Sequence, residues 1–126
     1  MSSVDVIRRF VDAFNAEDLD ALVAVLDPHV EIQARRGLVV GHDEARRWAT
    51  RNPAGHLHQH LVLDGVRTDG HPAVALLRRR WGWKDDSGVA DEHEFAALVT
   101  MREGKIARWQ PFEDGGEALR AAGLDA

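Results

Sequence analysis

With neither cysteine nor tyrosine in the chain, proton transfer or anion binding must draw on histidine, carboxylate and arginine side chains. His56, His58 and His60 alternate, which places all three on one side of a strand, and neutral imidazoles are the commonest zinc ligands. Side chains two apart on a strand diverge, and a closed zinc site needs further ligands from elsewhere. The spacing therefore favours a polar strand start over a metal, and no metal is expected. His60 is kept as a candidate acid or base. A second constellation depends on register. If Glu103-Gly104 is a two-residue turn, Met101 lies opposite Ile106, Val99 opposite Arg108, Ala97 opposite Gln110, Phe95 opposite Phe112 and His93 opposite Asp114. A carboxylate there would orient an imidazole as general base, so His93 and Asp114 form a candidate dyad. The competing reading makes Asp114 the cap of a final helix and His93 a rim residue.

Arg78, Arg79 and Arg80 alternate, so at least one arginine must share a face with Leu76. Turned inward, Arg78 would take a ligand carboxylate or phenolate in bidentate fashion; otherwise it pairs with Glu92 or Glu94 across the sheet. Trp81, Trp83 and Trp109 are too many for an idle surface. On the outer face, which this register favours and where it places Trp109, they would serve a dimer interface; on the inner face they would be pocket wall. Trp48, beside Ala45 and Ala49, is expected at the core or pocket rim.

The elements that must position these groups belong to one ordinary domain, since the chain has 126 residues, 44% hydrophobic and 29% charged. A net charge of -5 and a pI near 5.7 leave no basic field for nucleic acid. The start lacks a signal peptide, and no apolar run approaches membrane-spanning length, so a cytosolic protein is expected, with no membrane partner. No motif points to a nucleotide, haem or flavin, and no cofactor is expected.

Val4, Ile7, Phe10, Val11 and Phe14 recur at helical spacing behind Ser3 as N-cap. The stretch Asn15 to Asp18 breaks that helix, with an asparagine tolerant of left-handed backbone and then a capping aspartate. Leu19 to Leu26 predicts a second helix, stopped by Pro28, and His29 to Arg35 a strand. Gly37 and Gly41 lead into a third helix over Asp43 to Arg51, closed by Asn52-Pro53-Ala54-Gly55. From His56, turn signals at Asp69-Gly70, Asp85 to Gly88 and Glu103-Gly104 separate four strands expected to be antiparallel. A helix over Glu117 to Ala122 closes the chain, with Gly123 as its C-cap. This order is α+β.

Three groups of segments are similar in order and spacing to the SnoaL-like branch of the nuclear transport factor 2-like superfamily: Arg9 to Leu22; Leu26-Asp27-Pro28-His29-Val30-Glu31; and Arg102 to Ile106 with Phe112-Glu113-Asp114 and Glu117 to Leu124. The resemblance covers nearly the whole chain, as a single domain over 1–126. It implies a cone-shaped, curved antiparallel sheet wrapped around the N-terminal helices, with a concave face enclosing a pocket for a hydrophobic organic molecule. It also implies an outer sheet face that often forms a homodimer. The pocket positions it implies are Phe10, Phe14, Gln33, Trp48, Leu61, Leu76, Arg78, Phe95, Ala97, Gln110 and Phe112. Ketosteroid isomerases keep a tyrosine, an aspartate base and a protonated acid at places that match Phe10, Gln33 and Ala97, none of which supplies the chemistry. The acid or base pair of polyketide cyclases would fall near Ala97 and Gln110 and is absent too. Two functions stay open: a cofactor-free isomerase, dehydratase, cyclase or epoxide hydrolase using His60, His93, Asp114 or an inward arginine, and a ligand-binding or dimerisation module without catalysis.

Overall fold

In the computed structural model, which describes residues 3–34, 37–50, 57–68, 73–83, 88–113 and 115–121, the first apolar stripe becomes α1 (Ser3–Ala16), burying Val6, Ile7, Phe10, Val11 and Ala13. The helix ends in a Schellman turn, with the Glu17 amide donating to Phe14 O and the Asp18 amide to Ala13 O. Glu17 takes the left-handed position (φ 56°), not Asn15. Asn15 stays helical because its side chain is used elsewhere, as described below. Asp18 then caps α2 (Leu19–Ala24), accepting from the Ala21 amide at 3.1 Å.

The second helix is shorter than its apolar pattern suggests, because Leu26 already belongs to β1 (Leu26–Ala34). Pro28 therefore sits inside a strand. It does so where the pairing with β6 shifts register between Leu26 and Glu31, an irregularity that tolerates a residue with no amide hydrogen. Gly37 to Val40, expected only as a connection, forms β2 (Gly37–Val40), antiparallel to β1. Gly41 follows with φ 85° and opens α3 (Gly41–Thr50).

The remaining strands are β3 (Leu57–Arg67), β4 (Ala73–Trp83), β5 (Val89–Arg102) and β6 (Lys105–Phe112), followed by α4 (Gly115–Ala121). The order across the sheet is β2-β1-β6-β5-β4-β3. The sheet is curved and open, and mixed rather than wholly antiparallel, since β1 runs parallel to β6. The Ile106 amide donates to Val25 O at 2.9 Å where that parallel contact begins.

The Glu103-Gly104 turn forms as expected, with both residues at positive φ, the type I′ geometry that suits a two-residue hairpin. Met101 pairs with Ile106, but Thr100 pairs with Arg108 and Val99 with Trp109, so Ala107 is the extra residue of a bulge. Every β6 residue beyond it changes face relative to the uninterrupted register. Trp109, expected outside, is buried against Phe10 (ring centroids 4.5 Å apart), while Arg108, Gln110 and Phe112, expected inside, point the other way.

The sheet thus has two unlike faces. α1, α2 and α3 cover one, burying Val30, Ile32, Leu61, Ala75, Leu77, Phe95, Ala97, Val99, Ile106 and Trp109. α4 covers part of the other, where Ala118 packs on Val74 and Ala96 beside Leu76, Leu98 and Phe112. Helix side chains tie off both sheet edges. On β3, the Asn15 carboxamide accepts from the Leu61 amide and donates to the Leu61 carbonyl, both at 2.8 Å. On β2, the Glu44 carboxylate accepts from the Val40 amide at 2.7 Å.

Candidate functional site

The helix-facing side of the sheet is where a ligand chamber is expected, and aromatic rings occupy much of it. Phe10 packs between Trp109 and Trp48, with ring centroids 4.5 and 6.3 Å away, and Phe14 lies 5.8 Å from Trp48. Of the expected pocket residues, Phe10, Phe14, Trp48, Leu61, Phe95 and Ala97 do face the helices. Phe10, Leu61 and Ala97 are buried in packing.

Five of the expected pocket residues lie on the opposite face. Gln33 pairs with Leu38 and alternates with buried Ile32, so it points away from the helices, its amide donating to Ala34 O. Leu76 and Phe112 pack under α4, and Gln110 pairs with outward Leu98. Arg78 shares the face of Leu76 and donates to the Asp64 carboxylate at 2.9 to 3.1 Å and to Glu92 at 3.0 Å. The hydrogen bonds and charge of Asp64 raise its pKa above the usual arginine range. Arg80 adds a bond to Glu92 at 3.2 Å. The physical reason is strand parity: Leu77, not Leu76, faces the helices, so the inward arginine is Arg79, whose guanidinium sits 4.6 Å from the Phe95 ring centre.

The histidines separate as well. His60 pairs with Arg80 on the outer face and is exposed, so it is not beside the helices. His93 is exposed and pairs with Arg79. Asp114, its expected partner, and His56 lie outside the described residues. No group of three or more potential metal ligands occurs among the described residues. Asp27 is the one buried charged side chain among them; it accepts from the His29 amide at 2.8 Å and has Arg102 at 3.7 Å, an arrangement that satisfies it structurally.

A cavity does open on the helix-covered side of the sheet, displaced toward one edge. It measures about 420 Å³ and lies between the β1–β2 hairpin and α3. Ala34, Gly37 and Val39 share the inward parity of Ile32 and form its floor, with Leu38 at the border. Glu44, Arg47 and Trp48, one turn of α3, form the wall. Trp48 thus has two neighbours, the Phe10 and Phe14 rings on one side and the cavity on the other. The Glu44 carboxylate holds the Val40 amide, and Arg46, preceding Arg47, reaches away to Asp20 on α2 at 2.9 Å.

Trp48 is the one cavity residue that the sequence reading includes; Ala34, Gly37, Val39, Glu44 and Arg47 are not in it. The available signal was the short apolar run Leu38-Val39-Val40, whose alternation with β1 brings Ala34 and Val39 to one side. The pair Arg35-Arg36 between the two strands carries none of the usual turn residues, which hides the hairpin.

The family described as SnoaL-like domain matches residues 7–109. No curated protein matches the sequence. Among solved structures, the chain is similar to an NTF2-like protein of unknown function from Burkholderia pseudomallei (22% identity, 97% of this chain and 98% of that one, TM-score 0.70). It is also similar to a hypothetical protein with a ketosteroid isomerase-like fold from Catenulispora acidiphila in complex with trimethylamine (14%, 98% and 95%, 0.73). TerC co-crystallised with polyporic acid is a third (19%, 94% and 95%, 0.72). At these identities the likeness concerns the fold. No helix among the described residues is long and apolar enough to cross a membrane.

Proposed function

Because this chain belongs to the SnoaL-like domain family, we propose that it binds a small, largely apolar organic molecule in the cavity between the β1–β2 hairpin and α3. One observation carries the proposal: a concave space of about 420 Å³ with an indole wall, inside the range of roughly 300 to 1,000 Å³ of pockets that take drug-sized molecules. The apolar floor of Ala34, Gly37 and Val39 supplies contact area, while Arg47 and Glu44 supply the few polar groups that orient a ligand.

Binding is favoured over acid–base catalysis by what stands near the cavity. The positions matching the isomerase constellation are a buried phenylalanine, an outward glutamine and a buried alanine. The acid on the wall, Glu44, spends one carboxylate oxygen on the Val40 amide.

A thermal-shift screen of aromatic and terpenoid metabolites tests the reading, comparing the natural chain with Ala34→Phe, which fills the floor. A ligand at about 100 times its Kd stabilises the natural chain by roughly 2.7 kcal/mol, and Ala34→Phe abolishes the shift. A screen without shifts, or shifts that survive the filled floor, sinks the proposal.

A further inference from the structure

Building on that binding site, we infer that its ligand carries a carboxylate, held by the Arg47 guanidinium, with its apolar body against Trp48. Arg47 and Trp48 are consecutive on α3 and both border the cavity, so the cation and the indole plane act on the same molecule. The neighbouring arginine is directed elsewhere: Arg46 pairs with Asp20 on α2.

Glu44 is the charged group on the wall that would oppose an anion. It sits one helical turn before Arg47, where charges three or four positions apart are neighbours. Its carboxylate is anchored at the sheet edge by the Val40 amide at 2.7 Å, which occupies one of its two oxygens. The guanidinium is a planar fork of five donors, so it serves a helix neighbour and a ligand carboxylate together, and the bidentate fit selects carboxylate over hydroxyl.

The test uses a matched pair of probes on the full chain: 2-naphthoate and its uncharged analogue 2-naphthylmethanol, titrated by calorimetry into the natural protein, Arg47→Gln and Arg47→Lys. The natural protein should prefer the carboxylate by about tenfold or more, the factor that 1.4 kcal/mol of pairing gives. Arg47→Gln should bring the two probes to within about twofold by weakening naphthoate alone. Arg47→Lys should keep part of the preference, and salt should weaken naphthoate but not the alcohol. Equal binding of the two probes by the natural protein, or a preference that survives Arg47→Gln, overturns the carboxylate while leaving the binding site. Failure of both probes to bind at millimolar concentration removes the cavity reading and this inference with it.

Discussion

Replacing Asn15 by alanine removes both hydrogen bonds that tie the C-terminal turn of α1 to the free edge of β3. The two bonds, each 2.8 Å long, span 46 residues of chain and end on Leu61, which is 4% exposed. Each is worth about 1 to 1.5 kcal/mol where its loss strands a buried partner, so the substitution should cost about 2 to 3 kcal/mol. An unfolding entropy of about 2.1 cal/mol/K per residue over 126 residues is about 0.26 kcal/mol/K, and the melting temperature should fall by about 10 °C. Thermal unfolding by circular dichroism gives the first number, and hydrogen exchange at the Leu61 amide gives a local one, since that amide loses its acceptor. Asn15→Asp sharpens the test. It keeps an acceptor for the Leu61 amide but sets a carboxylate against the Leu61 carbonyl. That contact favours the protonated form and raises the introduced group's pKa in the folded state. Relative to the natural chain its stability should therefore be greater at pH 4 than at pH 8, the difference falling as pH rises through the folded-state pKa of the introduced group. A melting point within about 2 °C of the natural chain for Asn15→Ala, with Leu61 still protected, would refute the reasoning.

Trp109→Ala should destabilise by about 3 to 5 kcal/mol, because the ring is 3% exposed and packs on Phe10; denaturant melts measure it, and a loss under 1 kcal/mol contradicts the placement of Trp109 inside. Glu17→Gly should raise stability by about 0.5 to 1 kcal/mol by relieving a left-handed non-glycine residue, seen as a higher denaturant midpoint at unchanged slope. Glu44→Ala should cost about 1 kcal/mol through the lost Val40 bond, whereas Glu44→Gln, which keeps an acceptor, should melt close to the natural chain. Arg78→Ala should leave the melting point nearly unchanged despite its bonds to Asp64 and Glu92, because solvent screens that network.

Local physics made much of this architecture legible in the sequence. The apolar stripe of α1, the aspartate cap of α2 and the glycine turn between β5 and β6 each depend on residues within a few positions of one another. What escaped depends on distant partners. Nothing near Ala107 announces a bulge, because the extra residue is accommodated by β5, and its consequence is the exchange of Trp109 with Gln110 and Phe112 between faces. The strand β1 begins at Leu26, inside an apparent helix, because pairing with β6 outweighs local propensity there. The cavity was missed for the same reason: it needs β2, a strand of four residues whose pairing with β1 sets the parity of Ala34 and Val39. Arg79 shows the smaller version of the problem, since three adjacent arginines leave parity open until Leu77 is known to be buried.

The parallel neighbour of β1 has an effect on the order in which the molecule can be made. Leu26 and Ile106, partners in the sheet, lie 80 residues apart in the chain, and β6 joins the β1–β2 hairpin to the β3–β5 meander. On a ribosome, the hairpin and the first two helices emerge long before that joining strand, so they must wait with one flank of β1 open until β6 has been made. A nascent chain stalled before Lys105 should accordingly be protease-sensitive and held by chaperones, and synthesis of β6 should close the sheet in a single late step.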